Sequence, residues 1–221
     1  FKASGAWSVE LYRADIEMNL RSERMAGFQL LDLQDYPGQG SAYVGILDAF
    51  MDSKGLIEPK KWREFCCEVV PLLTTAKFCW TGQEIFEGNI EIANYGEHSL
   101  KGKSVSWELK TGKRLLGKGK MPVPSGLGLL TAGTIRLTLP NLEKAYKAEL
   151  SLKIAGTSYR NTYPLWIYPA KKQLNTEGIV VARQLTDEVL SALKQGGKVL
   201  LMPGKEDCKE VTVGGLFQTD Y

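Results

Sequence analysis

What this chain of 221 residues has little of narrows its chemistry before any motif is considered. It holds one histidine, His98, in the turn-like segment Gly96-Glu97-His98-Ser99. Ser-His-Asp and Cys-His catalysis both need a histidine with oriented partners. None stands near His98 in sequence, so it reads as a turn residue. Cysteines number four, Cys66, Cys67, Cys79 and Cys208. No CxxC spacing occurs, which argues against a zinc site or a thioredoxin-type motif. The adjacent Cys66-Cys67 pair cannot bond without strain, and free thiols are expected. No apolar run reaches the length that a bilayer-crossing helix needs. An excess of one charge is missing too: 28 Lys and Arg against 25 Asp and Glu give +3. The signs are interspersed, so no basic stripe points to nucleic acid or to an anionic membrane. Pro124-Ser125-Gly126-Leu127-Gly128-Leu129 contains GxG, but no third glycine, lysine or capped helix follows to make a phosphate cradle. Gly196-Gly197 ends a helix, which is the wrong end of the dipole for an anion. Neither metal nor cofactor is expected.

What is present is an ordinary globular composition, 43% apolar and 24% charged, carrying three successive patterns. From 8 to 21, Val9, Tyr12, Ile16 and Leu20 recur at helical spacing with Glu10, Arg13 and Glu17 between them. Gly27-Phe28-Gln29-Leu30-Leu31-Asp32-Leu33 is nearly continuous in apolar character, which predicts a parallel strand covered on both faces. A polar loop, Gln34-Asp35-Tyr36-Pro37-Gly38-Gln39-Gly40, precedes a second predicted helix over 42–51. Pro59, at an N1-like position, opens a third with Trp62, Phe65 and Cys66 on one side. Helix, buried strand, loop and helix form the repeat of a β/α barrel. A single repeat cannot close one.

After Val69, short runs rich in Val, Ile, Thr and aromatics alternate with Gly, Pro and Asn. Strands are expected near 72, 78, 86–93, 104–109, 115–120, 134–139, 148–154 and 162–168. The alternation is plainest in Asn89-Ile90-Glu91-Ile92 and Glu149-Leu150-Ser151-Leu152-Lys153-Ile154. Their number and spacing predict an immunoglobulin-like sandwich with Trp107 as a core residue, lacking the usual inter-sheet cysteines. Beyond a polar linker over 171–177, Gly178-Ile179-Val180-Val181-Ala182, a helix over 186–194 capped by Thr186, and Lys198-Val199-Leu200-Leu201-Met202 make one βαβ unit. The fold class is therefore mainly β. A sandwich over 68–170 is flanked by a partial β/α-barrel remnant over 1–67 and the start of a further α/β domain over 171–221.

In a β/α barrel the strand C-termini carry the active site. That makes Asp32, Gln34, Asp35 and Tyr36 candidate substrate-binding groups for sugar hydroxyls. Asp and Pro-Gly are equally the residues of an ordinary turn, and both readings stay open. Asp32 and Asp35 do not qualify as a glycosidase acid pair, because neighbours on one strand end cannot oppose each other across a scissile bond. Trp80, Tyr95, Tyr146, Tyr159, Tyr163 and Trp166 could offer a sugar-stacking face, although alternation puts most of them in the core or at an edge.

Phe1-Lys2-Ala3-Ser4-Gly5-Ala6-Trp7, the stretch from Gly27-Phe28 to Gln39-Gly40, and Val44-Gly45-Ile46-Leu47-Asp48-Ala49-Phe50 resemble the end of the catalytic barrel in family-two glycoside hydrolases. The likeness is to their β-galactosidase-like branch in polysaccharide-degrading bacteria. It implies that residues 27–35 are the last barrel strand, 69–168 the following immunoglobulin-like domain, and 178–202 with 214–221 part of further C-terminal domains. It also implies retaining hydrolysis of terminal β-linked sugars by two glutamates on earlier strands, so no residue here inherits a catalytic role. Typical members carry Trp in the last strand, where this chain has Leu30 and Leu31. The resemblance implies a periplasmic or extracellular setting, carbohydrate reached through a parent protein, and the parent's remaining domains as partners. Both ends are expected to be cuts in a longer polypeptide. A free-standing carbohydrate-binding or purely structural sandwich is the alternative.

Overall fold

The computed structural model describes residues 1–24, 26–38, 43–97, 99–170 and 177–207. They divide into two compact units, Phe1–Lys171 and Lys172–Tyr221.

The first unit is built on two sheets facing each other. Strands β1 (Val69–Thr74), β3 (Ile85–Asn94) and β6 (Gly128–Thr138) form an antiparallel sheet in the order β1-β3-β6. Strands β2 (Cys79–Thr81), β4 (Ser104–Thr111), β5 (Arg114–Pro122), β7 (Tyr146–Ile154) and β8 (Arg160–Tyr168) form the other, ordered β2-β8-β7-β4-β5. Strand β2 runs parallel to β8 and the remaining pairs are antiparallel. The chain thus visits one sheet with β1 and the other with β2, as sandwiches of the immunoglobulin type do. Pro71 is tolerated because β1 pairs on one side only.

Inward residues alternate as a half-buried sheet requires. Along β3, Phe86, Gly88, Ile90 and Ile92 turn inward while Glu87 and Asn89 face out. They meet Leu109, Leu150, Leu152, Leu165 and Ile167 from the opposite sheet in one core. Trp80 packs edge-on against Phe86, with ring centroids 5.3 Å apart. Trp107 is half-buried against this core, its indole lying across the backbone of β5. A Cβ on Gly119, its register partner, would come 2.6 Å from Trp107 Nε1, so the close approach requires glycine there.

Ahead of the sandwich, α1 (Lys2–Leu20) and the single-turn α2 (Pro59–Trp62) pack on β1 and β8, with Pro59 in the first turn. Gly5 is buried where Leu56 seats; an added Cβ would stand 2.3 Å from its Cδ2. Two local expectations give way here. Residues 27–33 form turns and extended loop, followed by one isolated parallel bridge, Gln34↔Leu47. A strand made to be covered on both faces finds no ladder partner among the described residues, and Phe28, Leu31 and Leu33 stay exposed. Over 43–51 no helix forms. There the Asp48 carboxylate accepts from the Phe50 and Asp52 amides, a local side-chain turn that competes with helix.

In the second unit, β9 (Ile179–Ala182) and β10 (Lys198–Leu201) pair in parallel across α3 (Asp187–Lys194). Thr186 caps α3 by accepting from the Val189 amide, and Gly196, at φ +77°, takes the left-handed turn after it.

Candidate functional site

The predicted loop residues are held in different ways. Asp35 is buried, its Oδ1 accepting from Lys54 Nζ at 2.6 Å and the Gly45 amide at 3.0 Å. Lys54 also donates to the Gly45 carbonyl. Asp35 therefore ties residues 33–38 to residues 43–54. Asp32 and Gln34 are half-buried. The carbonyl of Asp32 lies 3.0 Å from the Tyr12 hydroxyl, as does that of Val44. Burial, and then the Asp32 charge, push the Tyr12 phenol up. Tyr36 is exposed. His98 and Cys208 lie outside the described residues. Cys66, Cys67 and Cys79 are free thiols, and burial pushes the first two up, away from thiolate reactivity. Among the described residues no cluster of three or more His, Cys, Asp or Glu could hold a metal.

Two buried glutamates occupy the contact between the helices and the sandwich. Glu17 accepts from Arg13, Asn161 and Tyr163 through Oε1, and from Arg21 through Oε2, at 3.0–3.1 Å. The Tyr163 hydroxyl accepts in turn from the Leu73 amide, and Asn161 also donates to the Pro71 carbonyl. Burial, then the Glu17 charge, hold the Tyr163 phenol far above its ordinary range. Glu64 accepts from Lys61 and Arg160 on Oε1 and from the Thr162 hydroxyl on Oε2. Each carboxylate is answered by two cations and at least one neutral donor, so its acceptor positions are taken up by the protein itself. That is the chemistry of a latch. A general acid needs a carboxyl reaching its substrate. The signal was present in sequence: Arg13, Glu17 and Arg21 are four apart, on the helix flank beside Val9 and Ile16.

A second feature went unread in the sequence. Between α1–α2 and the outer face of the five-stranded sheet lies an open groove of about 560 Å³. Its charged lining is Arg13, Lys61, Lys110 and Lys147 against Glu10 and Glu149. Beside it on the same outer face, Trp166 and Tyr168 alternate outward on β8, 37% and 48% exposed. Lys147 Nζ stands 5.8 Å from the Trp166 ring centroid. Of the other candidate stacking aromatics, Trp80 and Tyr163 are buried, Tyr146 and Tyr159 half-buried, and Tyr95, which follows β3 of the other sheet, is exposed.

Residues 84–169, less than half of the chain, match the model of a domain of unknown function, DUF8488. No curated protein matches by sequence. Solved structures with some likeness include a Listeria innocua β-glucosidase in complex with gluconolactone, at TM-score 0.32 and 12% identity over 47% of this chain and 16% of that one. A Parabacteroides merdae β-glucuronidase gives 0.30 and 12% over 45% and 14%. A Pseudomonas fluorescens alkylpurine DNA glycosylase bound to DNA gives 0.31 and 8% over 46% and 31%. The chain thus spans a minor part of each. Likenesses of this strength carry no inference about activity.

Proposed function

We propose that this chain is a non-catalytic module of a larger glycoside hydrolase, with residues 1–67 as the rim of a β/α barrel and the sandwich as the strut that fixes it. The carrying observation is the two-sidedness of α1. Val9, Arg13, Ile16 and Glu17 lock one face to the sandwich. Trp7, Leu11 and Met18 fall within about 40° of arc on the opposite face and are 65%, 48% and 60% exposed. Phe28, Leu31, Leu33 and Phe50 add further exposed apolar surface in the same N-terminal segment. Apolar area of this kind marks a face made for contact, and the resemblance of residues 27–35 to a last barrel strand supplies its partner, the rest of the barrel. Hydrolysis of a terminal β-linked sugar then belongs to the parent, in a periplasmic or extracellular setting, with both glutamates elsewhere in it.

Two measurements test this reading. The pure chain should not release nitrophenol from aryl β-galactoside or β-glucoside; turnover above the buffer rate overturns it. Replacing Trp7, Leu11 and Met18 together by serine should weaken binding of a hydrophobic dye while changing unfolding free energy by no more than about 0.5 kcal/mol per site. A collapse of stability would mean that the face is part of this chain's own core, and the reading would fail.

A further inference from the structure

The charged groove beside α1 has no role in that scaffold. Its floor is the outer face of β4, β7 and β8, and one wall is the helical segment. Of its cations, Lys61 is bridged to Glu64, and Lys110 is bonded to Glu108 and stands in register with Glu149. Lys147 differs. Among the described residues no carboxylate lies within 4.0 Å of its ammonium, which rests instead near the face of Trp166, its register partner on β8. Trp166 and Tyr168, two residues apart on one strand, stand about 7 Å from each other. Together they make a short aromatic strip whose groove-side end carries a cation without a carboxylate partner.

We infer that this groove and strip bind an acidic oligosaccharide, a chain of uronate sugars. A pyranose ring has an apolar C–H face that stacks on an exposed aromatic, and its hydroxyls donate to carboxylates such as Glu10 and Glu149. The sugar carboxylate needs a cation beside the stacking surface, which Lys147 supplies 5.8 Å from the Trp166 ring centroid, and Lys110 and Lys61 extend the positive lining along the groove. A volume near 560 Å³ suits a ligand of two or three sugar rings. A phosphodiester chain fits worse, because Glu10 and Glu149 interrupt the positive lining.

The test is calorimetric titration of the chain with a homogalacturonan hexasaccharide and with the neutral galacto-hexaose, at low and at high salt. The acidic sugar should bind and weaken as salt rises; the neutral one should bind at least about tenfold more weakly, the worth of one charge-assisted hydrogen bond. Lys147→Met should erase that preference, and Trp166→Ala should weaken both sugars. Both side chains are on the surface, and an unchanged melting temperature shows that the variants are folded. Equal affinity for the two sugars, indifference to both substitutions, or tighter binding of hexathymidylate would each overturn the assignment. So would a lack of measurable heat at millimolar hexasaccharide. None of these outcomes depends on whether the chain comes from a glycosidase, since that reading is tested by turnover and by the α1 face.

Discussion

Glu17 and Tyr163, 146 residues apart in sequence, meet with the tyrosine hydroxyl 3.0 Å from both carboxylate oxygens. This contact joins the first helix of the chain to the last strand of the sandwich. Arg13 closes over it, its guanidinium 4.5 Å from the Tyr163 ring centroid and donating to Asn161 Oδ1 and the Thr162 carbonyl.

Glu17→Ala should therefore be among the most damaging single substitutions. It leaves Arg13 and Arg21 facing each other without their shared counter-charge, a loss of about 3–5 kcal/mol for a broken buried pair. Urea unfolding measures it. Tyr163→Phe alone should cost less, and the double variant less than the sum of the two, with a coupling of about 0.5–3 kcal/mol. Strict additivity would show that the two groups do not act together.

Alkaline pH should weaken the same latch. The Tyr163 phenol is raised above its ordinary 10.0 in the folded chain, first by burial and then by Glu17. Its neutral form is favoured by folding, so this contribution is complete below pH 10.0 and is lost as pH rises beyond it. Unfolded chains shed the proton first, and stability falls by about 1.4 kcal/mol per pH unit above that point. In Tyr163→Phe this part of the slope should vanish. A wild-type stability that stays flat to pH 12 would contradict the assignment.

Lys54→Met should loosen the contact of residues 33–38 with 43–54 while leaving the strands intact. It strips the buried Asp35 of its 2.6 Å partner, leaving the Gly45 amide as donor to Oδ1. The local cost is about 3–5 kcal/mol. Hydrogen exchange should show the Asp35 and Leu47 amides, now bonded to the Leu47 and Leu33 carbonyls, losing protection. Unchanged protection would mean that the ion pair does not hold the loop.

Gly119→Ala should destabilise the sandwich by about 1–3 kcal/mol through overpacking against Trp107. In a Trp107→Leu background, where the indole is gone, most of that penalty should disappear. Thermal melts of the wild type and the three variants decide the point.

Much of the architecture was legible because it is written in local signals. The inward alternation of Ile90 and Ile92 and of Leu150, Leu152 and Ile154 predicts strands with one dry face, and these are found buried as expected. Thr186 and Pro59 mark helix starts by their own chemistry. What was not legible depends on partners. The apolar run 27–33 carries the composition of a covered strand, but strand geometry needs a neighbour to bond, and none stands beside it among the described residues. The 43–51 stretch has helical composition, yet Asp48 supplies a competing turn. The ion pair that buries Asp35 was not legible because its partner, Lys54, lies nineteen residues on. The groove at Lys147 could not be read at all, since a register between β7 and β8 and a helix from the other end of the chain assemble it.

The long sequence separation of the Glu17–Tyr163 contact also bears on how the chain is made. At about 5–20 residues per second, a ribosome delivers Tyr163 roughly 7–30 s after Glu17, which is 146 positions earlier. Through that interval the nascent helix carries two arginines, a carboxylate and the apolar residues Val9 and Ile16 with no sandwich to rest against. Holding factors near the exit tunnel would have their longest opportunity on this segment, and the helix would be the last piece of its unit to come home.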